Sequence, residues 1–515
     1  MFGNGGSASD IGLNGTAIAG MIPMTLGWLQ QILTVAFGAF CVKIFLTIIY
    51  NLYFHPLRNF PGPKLAAATP IPFAWRIING RMVAWHKAMH AKYGIVVRNH
   101  PDELSFIGAS GWKDIYAARP QLPKPTIGVL QTPDGVPSIV TVPDPETHGR
   151  QRKILSHAFS EHALRNQEYI LQKYSDLLIS RLREQGDEVN IIEWYNYTTF
   201  DVTGDLCFAD SFRCLEVGDN HPWVAAVYRG VKFAQILTVF DYFPPLSPIV
   251  KWCIPSFVIE KAQKTFVYTR KKVDQRIASK SDRPDFMKHI LENNHEGGMT
   301  IESIYSTVTL LVLAGSETSA TTMTSATYYS LNHPPVFERL KKEIRDAFDH
   351  DPSSITVSAV SELPYLNAVI SEALRLHPTN PVSLPRQVDR PVEICGMMVP
   401  PGVRAGMSAL PTYTSPVNFV DSMSYIPERW LDNADPRFAQ DKKDAFAPFL
   451  VGPRNCIGKP LAWAEMKLIL VKILLNFDLE LSNKNIGAWD DTKVWLLHEK
   501  KPYYVKIYPR MQRKK

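Results

Sequence analysis

Cys456 stands in the segment Phe449-Leu450-Val451-Gly452-Pro453-Arg454-Asn455-Cys456-Ile457-Gly458, which carries F-x-x-G-x-R-x-C-x-G at every fixed position. A buried cysteine without such a frame is ordinarily core filling. Here two glycines let backbone pass close to a planar macrocycle, and amides near the sulfur can hydrogen-bond it and tune a metal that it ligates. The helix-like run Pro460-Leu461-Ala462-Trp463-Ala464-Glu465 follows directly. The residue types point to a soft metal ligand beside a flat cofactor.

Three more groups of residues bear on the same chemistry, and each has an ordinary reading. Glu372-Ala373-Leu374-Arg375 sets opposite charges one helical turn apart, a pattern that exposed helices carry routinely. Ala314-Gly315-Ser316-Glu317-Thr318 lies in a long apolar helical stretch, where a single glycine is tolerated. His148-Gly149-Arg150-Gln151-Arg152-Lys153 is a basic run. For Arg150 and Lys153 a solvated face and a docking site for an acidic redox partner are equally good accounts.

Taken in order along the chain, these segments resemble the cytochrome P-450 superfamily, and the resemblance runs from the N-terminal span to the C-terminus. It implies haem b with Cys456 as the axial iron ligand, whose thiolate pushes electron density toward O–O cleavage. Phe449 and Gly458 belong to the loop against the haem, and Arg152, Arg386 and Arg454 would pair with its propionates. His148 stands where the family more often has Trp, a variant familiar in its fungal branch. Gly315 would let its helix approach the haem, while Thr318 and Glu317 would position water and deliver protons to bound dioxygen. Glu372, Arg375 and Arg429, the last within Pro427-Glu428-Arg429-Trp430, match the family's structural triad, which serves stability and not chemistry.

The activity so implied is a monooxygenase that inserts one oxygen atom from O2 into a C–H or C=C bond of a hydrophobic small molecule. The cofactor supplies the hard step, and the protein supplies orientation, proton delivery and an apolar pocket. Electrons would come from NADPH through a membrane-bound NADPH–cytochrome reductase, with cytochrome b5 as a second donor. The wording around Tyr53-Phe54-His55-Pro56-Leu57 and over 148–159 is similar to filamentous-fungal enzymes of secondary metabolism. An apolar polycycle, a terpenoid and a polyketide all fit, with substrate contacts expected from 124–142, 231–248 and 308–314. The rivals are a haem-thiolate isomerase or dehydratase and a non-catalytic haem sensor or carrier. Glu317 beside Thr318 favours the oxygenase.

The elements that must position these residues read as mostly α with small β-sheets. Helical periodicity marks 148–163, 164–185, 301–331, 334–350 and 363–376, and short strands fall at 95–99, 104–108, 392–395 and 503–508. With 515 residues, 45% of them hydrophobic and 20% charged, the chain is globular in composition, and the resemblance implies a single catalytic domain over 66–515. Lys plus Arg exceed Asp plus Glu by 56 − 49 = 7, too little and too scattered for a nucleic-acid binder. Six scattered cysteines without a C-x-x-C pair indicate neither a structural zinc site nor a disulfide scaffold, and a reducing compartment fits them best.

Residues 32–50 are apolar except for Lys43 and have aromatics at both ends, long enough for one transmembrane helix. The predicted division is a short lumenal N-terminus at 1–25, an anchor at 26–50 and a Pro-rich hinge at 51–65. Arg58 and Lys64 follow the span while only Asp10 precedes it as a charge, which puts the body in the cytoplasm. The resemblance places such a single-pass chain in the endoplasmic-reticulum membrane. Of two N-x-T sequons, Asn14 would be lumenal and Asn196 cytoplasmic; no function is attached to either.

Overall fold

The structure is a computed structural model that describes residues 15–125, 134–219, 221–243, 252, 255–485 and 488–510. Asn14 and Cys253, and parts of 124–142 and 231–248, lie outside the described residues. Helix α1, Gly15–Ile49, runs on through a π-helical turn, Tyr50–Phe54. Within it Gln30–Phe54 is long and apolar enough to cross a membrane, and its apolar window is unburied. The proline at 56 ends it.

The segment that follows is tied down. Leu57 is fully buried in a core with Leu104, Phe106 and Trp112. Arg98 donates from its side chain to Asn51 O at 2.9 Å and from its amide to Pro61 O at 2.7 Å. Thus the prolines make a stiff strap between the apolar helix and the body. Beside it Leu65, Ile71 and Trp75 are each about 60% exposed. Removing residues 1–49 is therefore expected to turn integral into peripheral membrane association. The shortened chain should leave membranes at high salt or alkaline pH without detergent, and extraction tests this.

Six helices, a small sheet and a hairpin position the site. Helix α2, Pro145–Ser156, starts with Pro145 in its first turn and with Asp144 accepting from Thr147 N, so both the φ value and an orphan donor are settled locally. It stops before the predicted end, because Ser160 caps the next helix, α3, Glu161–Arg183. Helix α4, Ile191–Phe208, is buried on all sides. Its hydroxyls turn inward: Thr198 donates to Trp194 O at 2.7 Å and Thr199 to Tyr195 O at 3.0 Å. Asn196 is thus 9% exposed within a packed helix, no acceptor for a glycan.

Helix α5, Ile301–Leu331, is capped by Thr300 and packs lengthwise on α4. Helix α6, Pro364–Leu376, and helix α7, Lys459–Asn476, complete the bundle. Strands β1 (Val96–His100), β2 (Glu103–Phe106), β3 (Arg386–Gln387) and β4 (Arg404–Met407) form a sheet in the order β1-β2-β4-β3, with Leu104 opposite Ala405 in the parallel pair and Arg386 opposite Ala405 in the antiparallel one. A tight hairpin pairs β5 (Val494–Trp495) with β6 (Leu497–His498). The fold is mostly α with small sheets, as the periodicities predict. Among the described cysteines, Cys41, Cys207, Cys214, Cys395 and Cys456 are all free.

Candidate active site

Between α5 and the loop before α7 lies a cavity of about 1220 Å³. A single small-ligand site usually has about 300–1,000 Å³, so this one has room for a macrocycle and a substrate together. Cys456, Arg454, Phe449 and Gly458 line one side, Gly315 and Thr318 the other, and Arg152, Arg386 and His148 also face it. Nine of the residues predicted from sequence thus meet around one space. The walls beyond are apolar, with Ile139, Val231, Phe266, Leu310, Leu313 and Leu497 among them.

The cysteine loop is shaped by main chain. The Cys456 amide donates to Phe449 O at 2.8 Å and the Asn455 amide to Gly452 O at 3.1 Å. Gly452 has φ +78° and lies so close to the preceding layer that a Cβ would sit 2.2 Å from Tyr116 O. Gly452→Ala is expected to cost at least about 1–3 kcal/mol from conformation alone, with the overlap added to it. A lower Tm and loss of haem uptake would show it, and an unchanged Tm would refute it. Burial pushes the Cys456 thiol up, against the pull of the Gly458 amide, Arg152 and the Lys459 amide.

Among the described residues, four basic side chains gather at the rim with no carboxylate hydrogen-bonded to any of them. Arg454 donates to Val142 O (2.7 Å) and Pro143 O (2.9 Å), Arg386 to Leu384 O and Pro385 O (both 3.2 Å), and Arg152 to Asn455 O (2.6 Å) and Oδ1 (2.5 Å). The fourth is Lys124, which donates to Val140 O and whose pKa burial, Arg386 and Arg454 lower to about 7. His148 is lowered to about 4 by burial and by Arg454, Lys124, Arg152 and Arg386, so it stays a neutral N–H donor. Charge left unmatched around a thiol-bearing apolar cavity is what a ligand with two carboxylates and a soft metal would satisfy. A haem fits the residues present.

Residues 68–507 match the family described as Cytochrome P450. The chain belongs to the cytochrome P450 family. This cytochrome P450 is 38% identical to "Cytochrome P450 monooxygenase lcsI" of Purpureocillium lilacinum over 488 residues, covering 92% of this chain and 93% of that one. To the averantin hydroxylase of Dothistroma septosporum it is 37% identical over 491 residues, 94% and 93% of the two chains. "Cytochrome P450 monooxygenase atr2" of Stereocaulon alpinum is 39% identical over 474 residues, 89% and 92%. The protein is accordingly an oxidoreductase, a haem-thiolate monooxygenase that uses O2.

The two members of the expected proton-delivery pair face different surroundings. Glu317 does not line the cavity: it is 1% exposed and pairs with Lys500 at 2.9 Å, while Thr318 faces the cavity and donates to Ala314 O at 2.7 Å. Adjacent helical residues point about 100° apart, and here that turns Thr318 to the cavity and Glu317 to Lys500. Gly315 lines the cavity, but a Cβ there would meet Thr203 of α4 at 3.2 Å, so helix packing is a second demand on it.

Glu372, Arg375 and Arg429 are away from the cavity and at most 1% exposed. The Glu372 carboxylate accepts from Arg375 Nε and Nη2 at 2.8 and 2.7 Å and from Arg429 Nε at 3.1 Å. Sequence reasoning missed the roles of four residues here. Lys124 had no motif to mark it as part of the cationic rim. Leu496, in the turn of the β5–β6 hairpin, and Leu497, the first residue of β6, wall the cavity from a segment with no polar pattern. Asp441, 2.6 Å from Arg429 Nη1, balances the triad's second arginine.

Proposed function

We propose that this cytochrome P450 hydroxylates or epoxidises a hydrophobic small molecule, a terpenoid or polyketide of fungal secondary metabolism. The observation that carries it is the apolar cavity with Cys456 on one side and the Thr318 hydroxyl on the other. A relative named as an averantin hydroxylase favours hydroxylation as the form of the reaction. When bound at Cys456, haem supplies the reductive activation of O2.

The chain's own residues do the rest. Arg152, Arg386, Arg454 and His148, with Lys124, would hold the two propionates, and the amides of Gly458 and Lys459 would hydrogen-bond the thiolate. Walls such as Phe266, Leu313 and Leu497 exclude water and orient an apolar substrate. Thr318 holds a hydroxyl at the reacting side, and Glu317 supplies protons from the other face of α5. Residues 26–50 anchor the chain in the endoplasmic-reticulum membrane, 1–25 are lumenal, and 66–515 form the cytoplasmic catalytic domain behind the 51–65 strap. There NADPH–cytochrome reductase delivers electrons, with cytochrome b5 as a second donor.

The test is turnover of extracts from a strain lacking the gene, with the reductase, NADPH and isotopically labelled O2. One labelled oxygen in a product that needs NADPH is the expected result. A product formed without NADPH or label would make the chain an isomerase or dehydratase, and haem loading without any product would favour a carrier.

A further inference from the structure

Glu317 is cut off from both the cavity and solvent. Its carboxylate meets Lys500 Nζ at 2.9 Å, and the Thr321 hydroxyl lies 3.5 Å away. Lys500 also donates to Asn196 Oδ1 of α4 at 3.0 Å, and its side chain is 9% exposed against 2% for the acid. The lysine is held there because it follows the β5–β6 hairpin, which is fixed by His498 on Pro378 O at 2.9 Å and on Thr492 at 2.7 Å.

Other ionisable groups nearby are paired or held neutral. His377 and His498 stack at 3.8 Å beside Lys500, and burial lowers the pKa of both, so they stay neutral. On α4, Asp201 accepts from the amides of Cys214 and Leu215, and Asp205 from Tyr174 and Arg283. Glu499 pairs with Lys232, Asp490 accepts from Tyr329, and Glu465 on α7 is pushed up to about 8 by burial. Lys500 is the cation facing Glu317 among the described residues.

We propose that Lys500 is the solvent-side relay that reloads Glu317 with protons. This rests on the reading of Glu317 as the proton source. In the step, an Nζ–H bond of the ammonium breaks as an Oε–H bond forms on Glu317, leaving a neutral amine and acid, and the amine regains its proton from water. Neutralising both partners of a buried pair also frees the acid to turn, since the Coulomb attraction is gone. An arginine would keep the pair but hold its proton far more tightly.

The experiment compares wild type, Lys500→Met, Lys500→Arg and Glu317→Gln as haem-loaded full chains with reductase. One readout is the fraction of NADPH electrons released as hydrogen peroxide without added substrate. The other is the infrared band of the protonated Glu317 carboxyl against pH, identified by its loss in Glu317→Gln. Peroxide is expected to rise about fivefold or more in both Lys500 variants. The carboxyl midpoint is expected to move up in Lys500→Met, about tenfold or more in proton affinity, and to stay near wild type in Lys500→Arg. Wild-type peroxide release in Lys500→Arg would overturn the relay, as would an unmoved midpoint in Lys500→Met. Glu317→Gln with wild-type peroxide release would instead sink the role of Glu317 itself.

Discussion

With serine at position 456 the chain is expected to fold and bind haem, and to lose its activity. The loop is built by main chain, from the Cys456 amide on Phe449 O and the Asn455 amide on Gly452 O, and Arg152 clamps Asn455 from outside. None of these contacts uses the sulfur. What changes is the donor. Burial raises the Cys456 thiol, but two amides and Arg152 already work against that rise, and a metal cation bound there deprotonates a thiol outright. A serine hydroxyl under the same forces stays a poor ligand.

Without the thiolate's electron push, NADPH-dependent oxygenation should fall about 1,000-fold or more, about 4 kcal/mol of barrier at 1.36 kcal/mol per tenfold. The reduced, CO-bound spectrum is the direct measurement. Wild type should show the strongly red-shifted Soret band of thiolate ligation, and Cys456→Ser should lack it while keeping its haem. The same band in both proteins would remove Cys456 as the ligand.

What could be read from the chain was what chemistry confines to short windows. The cysteine loop needs its glycines and arginine within ten residues, because one turn of backbone must both pass the macrocycle and present the sulfur. The capped helices likewise carry their own punctuation at Asp144, Ser160 and Thr300. Residues brought in from far along the chain left no such trace. Lys124 joins Arg386 and Arg454 only because β3 and the cysteine loop converge on it. Lys500 reaches Glu317 across 183 residues of sequence through a hairpin whose pattern is two residues per strand. The pairing of Glu317 with Thr318 in one functional phrase also hid that Thr318 faces the cavity while Glu317 faces Lys500.

The other large effect concerns stability. Glu372→Gln is expected to cost about 3–5 kcal/mol, the usual penalty for breaking a buried ion pair from one side. Five donors converge on this carboxylate: two from Arg375, one from Arg429, Trp430 Nε1 at 2.8 Å and the Ile426 amide at 3.0 Å. An amide offers one acceptor oxygen and turns an N–H2 group toward guanidinium N–H groups that need acceptors. Both arginines are at most 1% exposed, so water cannot take the place of the lost oxygen. Arg375 keeps carbonyl partners at Tyr413, Ser422 and Ser424, and Arg429 keeps Asp441. The damage is therefore partial collapse of the region joining α6 to residues 413–430, not a local hole. Calorimetry of the haem-loaded protein should show Tm lower by about 10 °C, taking about 2–4 °C per kcal/mol. Asp441→Asn should cost less, because it leaves Glu372 and its five donors in place. Because Arg429 touches both acids, the double variant should be less destabilised than the sum of the two. Strict additivity, or a Tm unchanged in Glu372→Gln, would mean that the four charges do not act as one network.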